Sequence, residues 1–219
     1  MLRAPGIPAV RLPRPLPPPR AAGIIRRLVD ALYQVHQVDV VHADLTLRNV
    51  IVDPANADAV CVVDFGGCFL RHHPHRDPSF TTSAHVLAPE LLSGVQPDPS
   101  ADIWALGIFT WALLFGGPGP FGASTASGAA VLDELDAFAR GNTSVHSAFH
   151  AAARQLDPPI TSQQQLHAAH TFIATCLERD PKDRFRRELP NDHAIFPTWA
   201  HVIDYDRIKA HPFLQLSAD

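Results

Sequence analysis

Acidic and amide side chains with the spacing that phosphate chemistry needs occur in the first third of the chain. Residues 42–49 read HADLTLRN, and residues 64–66 read DFG. These segments put two carboxylates, Asp44 and Asp64, and the amide of Asn49 at the ends of neighbouring β-prone runs. Phosphoryl transfer uses one carboxylate to accept or orient the proton of the nucleophile, and it uses an amide and a second carboxylate to hold Mg²⁺. Either segment alone is a weak signal, but together they indicate a magnesium-dependent phosphate site.

The elements that position these residues follow from the spacing of apolar residues. Between residues 21 and 35, apolar side chains recur at steps of four and three, which predicts one face of a helix. Short β-prone runs follow at residues 40–41, 49–52 and 59–63, with a turn at residues 54–58. The residues of the helical face are Ala21, Ile25, Leu28, Leu32 and Val35.

The second half of the chain reads as mostly helical. The apolar run at residues 103–115 is too short to span a bilayer and predicts a buried helix. Ser162 and Gln165 have capping-box spacing before another apolar helical face, and a last helix is expected at residues 198–209. Residues 66–87 lack periodicity and are interpreted as a long loop, including its histidines, since a zinc site needs four convergent ligands.

Composition limits the classes of protein. The chain has 219 residues, 46% of them hydrophobic and 18% charged, which favours a single globular domain. A net charge of −4 gives no electrostatic reason to expect nucleic acid or an anionic membrane as partner. Three cysteines without a CxxC pair suit free thiols in an intracellular protein, either cytoplasmic or nuclear. Residues 1–20 are expected to be a flexible proline-rich lead-in, with one domain at residues 21–215.

Further motifs follow the first two in a specific order. APE stands at residues 88–90, DIWALG at 102–107, DPKDR at 180–184 and HPFL at 211–214. In this order the motifs resemble those of the eukaryotic-type protein kinase family, nearer its serine/threonine branch. The resemblance implies an α+β, mainly α-helical, protein-kinase-like fold, with the C-terminal lobe only.

The resemblance also implies roles for individual residues. Asp44 would be the catalytic base, Asn49 and Asp64 would bind magnesium, and ATP would contact Asn49, Ile51 and Asp64. Asp102 would hold the backbone of the catalytic loop, and Glu90 would pair with Arg184. The residues with expected structural roles are His42, Phe65, Gly66, Glu90, Asp102 and Arg184.

The sequence also departs from the family pattern. Ala43 replaces the arginine that receives a phosphorylated activation loop, and Thr46 replaces the lysine that serine/threonine kinases direct at the γ-phosphate. No Gly-rich loop and no strand lysine precede Ala21. We therefore expect the chain to be incomplete, with the N-terminal lobe of the ATP site supplied by a longer gene product.

Three functions remain open at this point. The first is an ATP-dependent serine/threonine kinase that acts on a protein substrate. The second is a pseudokinase that binds partner proteins without catalysis. The third is a small-molecule phosphotransferase of the aminoglycoside or choline kinase type, which shares the HxDxxxxN loop but not the APE, DIWALG and DPxxR segments.

Overall fold

The computed structural model describes residues 6–55, 59–71, 83–117, 119–121, 128–141, 144–187 and 202–217. Most of these residues are helical, and the strands are two or three residues long, which confirms the expected mainly helical α+β fold. The helices are α1 (Pro18–Gln37), α2 (Pro99–Phe115), α3 (Gly128–Ala139), α4 (Val145–Arg154), α5 (Gln163–Cys176) and α6 (Tyr205–Lys209). The strands are β1 (Ile7–Pro8), β2 (Val40–Val41), β3 (Val50–Val52), β4 (Val60–Val62) and β5 (Phe69–Leu70).

Helix α2 is the centre of the core. The Asp98 side chain caps its N-terminus by accepting a hydrogen bond from Ser100 N at 2.8 Å, and Pro99 occupies the first turn, where its missing N–H costs nothing. The helix ends at Gly116, whose φ of 76° is favourable for glycine. Every α2 residue except Phe115 is buried, so the predicted buried helix is confirmed. None of the helices in the described ranges is long and apolar enough to cross a membrane.

Helices α1 and α5 pack on α2. The predicted face of α1 is confirmed for Ala21, Ile25, Leu28 and Leu32, which are all fully buried, whereas Val35 at its end is half-buried. The approach of α5 is close: a Cβ at Gly107 of α2 would lie 2.7 Å from the Cβ of Cys176. Glycine is therefore required at this crossing by packing, not by its backbone conformation.

The short strands form two antiparallel sheets next to α1. The three-stranded sheet has the order β1–β3–β4, with Val50 opposite Val62, and the second sheet pairs Val41 of β2 with Phe69 of β5. The three predicted strands are thereby confirmed, whereas β1 was not predicted and β5 lies within residues 66–87, which were interpreted as a loop. Because β3 follows residues 42–49 and β4 precedes residues 64–66, the antiparallel pairing of β3 with β4 places the end of the first motif segment beside the start of the second.

The described part of the lead-in corrects the expectation that it is flexible. Leu12 and Leu16 are buried, and Val10 N donates a hydrogen bond of 2.8 Å to Leu47 O in the 42–49 loop. Leu16 N donates to Leu113 O of α2, also at 2.8 Å. The apolar residues between the prolines provide enough buried area to hold an irregular segment on the surface of the domain. The boundary at residue 20 stays a prediction.

Two helices differ from the sequence expectation. Helix α4 was not predicted, and α6 begins at Tyr205, although a helix at residues 198–209 was expected. Ile203 pairs with Arg186 in a β-bridge, and the Asp204 side chain then caps α6 by accepting from Arg207 N at 3.0 Å. A bridge followed by a cap requires extended backbone before Tyr205, so the helix cannot begin earlier within residues 202–204. Residues 188–201 lie outside the described ranges.

A bidentate ion pair joins two distant parts of the chain. Arg184 Nη1 and Nη2 donate to Glu90 Oε1 and Oε2 at 2.7 and 2.8 Å. Arg184 is fully buried, and it also donates to the carbonyl oxygens of Glu178 and Arg179. Its guanidinium lies over the Trp104 ring, 4.8 Å from the ring centroid. The pair therefore ties residues 89–93 and the start of α2 to the segment after α5.

Breaking this pair from one side should be costly. The change Glu90→Gln leaves a buried guanidinium without its counter-charge, and we expect it to lower the free energy of unfolding by about 3–5 kcal/mol. Arg184→Met should cost at least as much, because two backbone carbonyls also lose their donor. Urea unfolding of both variants measures these losses. A loss below about 1 kcal/mol in both, as for an exposed ion pair, would contradict the expectation.

Candidate active site

The backbone of the 42–49 loop is held by hydrogen bonds to one buried carboxylate. Asp102, in the first turn of α2, is fully buried. Its Oδ2 and Oδ1 accept hydrogen bonds from His42 N and Ala43 N, each at 2.8 Å. Ala43 has a φ of 61°, a left-handed conformation that is strained for alanine, so these bonds also hold a backbone that would otherwise relax.

The same carboxylate is connected to two helices. His36 Nε2 of α1 donates to Asp102 Oδ2 at 2.9 Å, and the Tyr205 hydroxyl of α6 is hydrogen-bonded to His36 Nδ1 at 2.5 Å. Burial by itself raises the pKa of Asp102, but the hydrogen bond and charge interaction with His36, together with His42, outweigh it and leave the pKa lowered. The pKa of Tyr205 is raised well above its ordinary value by burial and by the Asp102 charge, so its hydroxyl stays protonated.

Asp44 and Asn49 are in direct contact. Asn49 Nδ2 donates to Asp44 Oδ2 at 3.0 Å and to Asp44 O at 2.9 Å. The other carboxylate oxygen of Asp44 accepts from Ser83 N at 3.0 Å. The turn is closed by Asn49 N donating to Thr46 O at 3.1 Å. Asp44 is half-buried and Asn49 is buried, so the loop orders both side chains before any ligand arrives.

Two hydrogen bonds to the backbone of Val63, the residue before Asp64, connect Asp64 to this pair. His42 Nδ1 accepts from Asp44 N at 3.3 Å, while its Nε2 bonds to Val63 O at 3.0 Å. Val63 N in turn donates to Asn49 O at 2.9 Å. The residue before Asp64 is thus tied to both Asp44 and Asn49. These bonds bring the three predicted site residues to one edge of the domain.

The DFG segment itself is exposed at this edge. Asp64 is exposed, has a φ of 65°, and accepts a hydrogen bond from Gly66 N at 3.4 Å. The Phe65 ring packs edge-on against His42, with centroids 5.0 Å apart, yet remains 40% exposed. Ile51, the remaining predicted ATP contact, lies in the middle of β3 and is half-buried.

The two sequence departures have local consequences. Ala43 is buried in a small apolar cluster with Val41 and Phe69, where a charged side chain would have to leave the cluster. Thr46 uses its hydroxyl oxygen to accept from Arg48 N at 3.2 Å, a local bond within the loop. Neither residue supplies a positive charge to this edge.

Three residues with clear positions in this network were not predicted. Ser83 was read only as part of a loop, and no role was assigned to His36 or Tyr205. His36 and Tyr205 are 66 and 169 positions from the groups they bond. The one available sequence signal was His36 itself, a histidine at a position on the α1 face otherwise filled by apolar residues.

Replacing Asp102 by asparagine should loosen the loop. An amide offers one acceptor oxygen where the carboxylate accepts three N–H bonds, so at least one buried donor loses its partner. We expect a loss of about 1–3 kcal/mol in the free energy of unfolding and faster hydrogen exchange at the amides of His42 and Ala43. Asp133→Asn, at an exposed position on α3, is the matched control and should stay within about 0.5 kcal/mol. Equal behaviour of the two variants would contradict the role of Asp102.

Comparison with known proteins is consistent with this geometry. The sequence model of the family described as "Protein kinase domain" matches residues 11–196. The chain is 28% identical over 205 residues to serine/threonine-protein kinase ULK3 of Rattus norvegicus, which covers 93% of the chain and 35% of that protein. It is 29% identical over 174 residues to calcium/calmodulin-dependent protein kinase type 1B of the same species, covering 79% of the chain and 45% of that protein. The chain thus spans less than half the length of these relatives. The chain belongs to the protein kinase family, on its serine/threonine side.

Proposed function

We propose that this chain is the catalytic lobe of an ATP-dependent serine/threonine kinase that phosphorylates a protein substrate. Asp44 is the proposed base, and Asn49 and Asp64 are the proposed magnesium ligands. The observation that carries the proposal is the 3.0 Å bond between the Asn49 amide and the Asp44 carboxylate. It joins a proton acceptor to a candidate metal ligand at the same edge where the Asp64 carboxylate is exposed.

The donor set fits magnesium. Both hydrogens of the Asn49 amide are directed at Asp44, which leaves its carbonyl oxygen as the group that can bind a cation. Asp64 adds a solvent-exposed carboxylate. Magnesium is commonly held by one or two protein oxygens, with water and substrate phosphates completing its shell. When bound, the ion would neutralise charge on the phosphate that is transferred.

Asp44 is suited to orienting a hydroxyl. Its two oxygens are fixed by Asn49 Nδ2 and Ser83 N, so the carboxylate plane is set by the protein and not by the substrate. Each oxygen retains a lone pair for a further donor. A serine or threonine hydroxyl that donates to Asp44 would be held with its oxygen free to attack the γ-phosphorus of ATP. Asp44 would accept the proton as the bond to phosphorus forms, and ADP would leave as its bond to the γ-phosphorus breaks.

ATP is proposed to bind over Ile51 and beside Asp64, beneath a second lobe. The Phe65 ring is 40% exposed at this edge, and a second lobe placed over the site would cover it. The partner proposed here is an N-terminal lobe in the same gene product. Without such a cover, charges at the edge are screened by water, and we expect residues 1–219 alone to bind ATP–Mg²⁺ weakly and to react slowly.

A pseudokinase that binds partners without catalysis is the second candidate. One observation favours it: Thr46 offers no positive charge toward a phosphate. The hypothesis of a small-molecule phosphotransferase has less support. The Glu90–Arg184 pair joins the APE and DPxxR segments, and that class of enzyme does not share these segments.

Asp44→Asn should abolish transfer. The amide cannot accept the hydroxyl proton, and loss of a general base typically lowers the rate by about 10²–10⁴-fold. Transfer from labelled ATP to a mixed serine/threonine peptide library is measured with the chain in excess, and Asp133→Asn serves as the control. Unchanged transfer in Asp44→Asn would contradict the proposal. ATP binding without any transfer by a longer gene product that includes the N-terminal lobe would support the pseudokinase instead.

Thr46→Lys should increase transfer. The ammonium would add a positive charge beside Asp44, where negative charge develops on the phosphate, and a single such donor can be worth about 10²-fold or more. Thr46→Met has similar length without charge and is the control for the lost hydroxyl bond to Arg48 N. The comparison is made in the same peptide assay. A rise of the same size in Thr46→Met would exclude charge as the cause.

A further inference from the structure

Three histidines from two helices converge on the side of the domain formed by α4 and α5. They are His146 and His150 of α4 and His170 of α5. Each offers one ring nitrogen, and these three nitrogens all lie within 4.8 Å of one another. His146 Nδ1 and His170 Nε2 are 3.0 Å apart. Nothing in the kinase chemistry proposed above uses them.

The spacing on α4 explains how two of the three meet. His146 and His150 are four residues apart, so both imidazoles project from the same face of the helix. Their ring centroids are 4.5 Å apart, and those of His146 and His170 are 4.8 Å apart. Convergence of the group therefore follows from one helical turn and one helix–helix contact.

The scaffold beneath the histidines is well anchored. Phe149, between the two α4 histidines in sequence, is fully buried and packs edge-on against Phe115 of α2 with centroids 5.1 Å apart. The same ring contacts His170, 5.0 Å between centroids. Because Phe149 fixes α4 against the core and against α5, the three imidazoles are held together by packing independent of any ion.

We propose that His146, His150 and His170 form a binding site for a divalent transition-metal ion, with zinc the expected occupant. Imidazole nitrogen is a preferred ligand of zinc, copper and nickel, whereas magnesium prefers oxygen. Three histidines form a recurrent zinc ligand set, in which a fourth position is left to water. Within the described residues the group has these three members, and its partial exposure gives an ion access from solvent.

The geometry needs only small side-chain movement to become a tetrahedral site. Zinc–nitrogen bonds of about 2.0–2.1 Å place ligand nitrogens about 3.3 Å apart in a tetrahedron. The His146–His170 nitrogen separation is 3.0 Å, and the largest separation in the group is within 4.8 Å. Rotation about the side-chain bonds of His150 can cover this difference without moving either helix.

The site is tested with untagged protein and Zn²⁺ alone, in buffer with excess magnesium chloride. Competition against a zinc-chelating dye should give one tight site per chain, and Co²⁺ should give the visible absorption of a tetrahedral ion. His146→Ala and His170→Ala should each weaken zinc binding by at least about tenfold, since loss of even an outer-shell partner costs about 10–100-fold. His167→Ala, on the same helix but outside the group, should bind like the unmodified chain.

Two further measurements separate this site from folding effects and from the loop histidines. Zinc should raise the thermal unfolding midpoint of the unmodified chain and not that of His146→Ala, whose exposed position makes misfolding unexpected. A variant with alanine at His72, His73 and His75, which lie outside the described residues, should keep the tight site. Loss of tight binding in that variant, or unchanged affinity in His146→Ala, would overturn the proposal.

Discussion

The arrangement of the candidate active site depends on the buried carboxylate of Asp102. It accepts hydrogen bonds from His42 N, Ala43 N and His36 Nε2, and so connects the central helix to the loop and to α1. A buried carboxylate without such partners would reduce the stability of the fold by several kcal/mol, so Asp102 needs its three donors. The loop in turn needs Asp102 to hold its backbone. The left-handed backbone at Ala43 is stable because these bonds define it.

Helix α2 connects Asp102 to other parts of the domain. Its first turn contains Asp102, its N-terminal cap is Asp98, and the carbonyl of Ser100 faces the Arg184 guanidinium at 3.4 Å. The first turn of α2 therefore fixes the position of the loop that bears Asp44. It also fixes the ion pair that joins residues 89–93 to the segment after α5. This turn can hold both parts in place because close packing around a buried helix resists displacement of its ends.

The departures from the family pattern remove positive charge from the site while leaving its backbone intact. Ala43 is accommodated by apolar packing with Val41 and Phe69, and Thr46 by a hydrogen bond within the loop. The carboxylate and amide geometry at Asp44 and Asn49 is consequently preserved. The backbone scaffold of the candidate site is therefore independent of the positive charges that the family pattern would place there.

The sequence by itself determined the local elements and the order of the motifs. Periodic apolar residues predicted α1 and α2, and the Ser162 cap predicted α5. The polar ends of β-prone runs predicted Asp44, Asn49 and Asp64 as candidate site residues. These features depend only on the local spacing of residues along the chain. Only the tertiary structure decided the contact of Asp102 with His36 and of His36 with Tyr205, the packing of residues 6–17 and the meeting of His146 with His170. Those contacts join residues up to 169 positions apart. They depend on which helix faces meet, and helical periodicity identifies a face but not its neighbour.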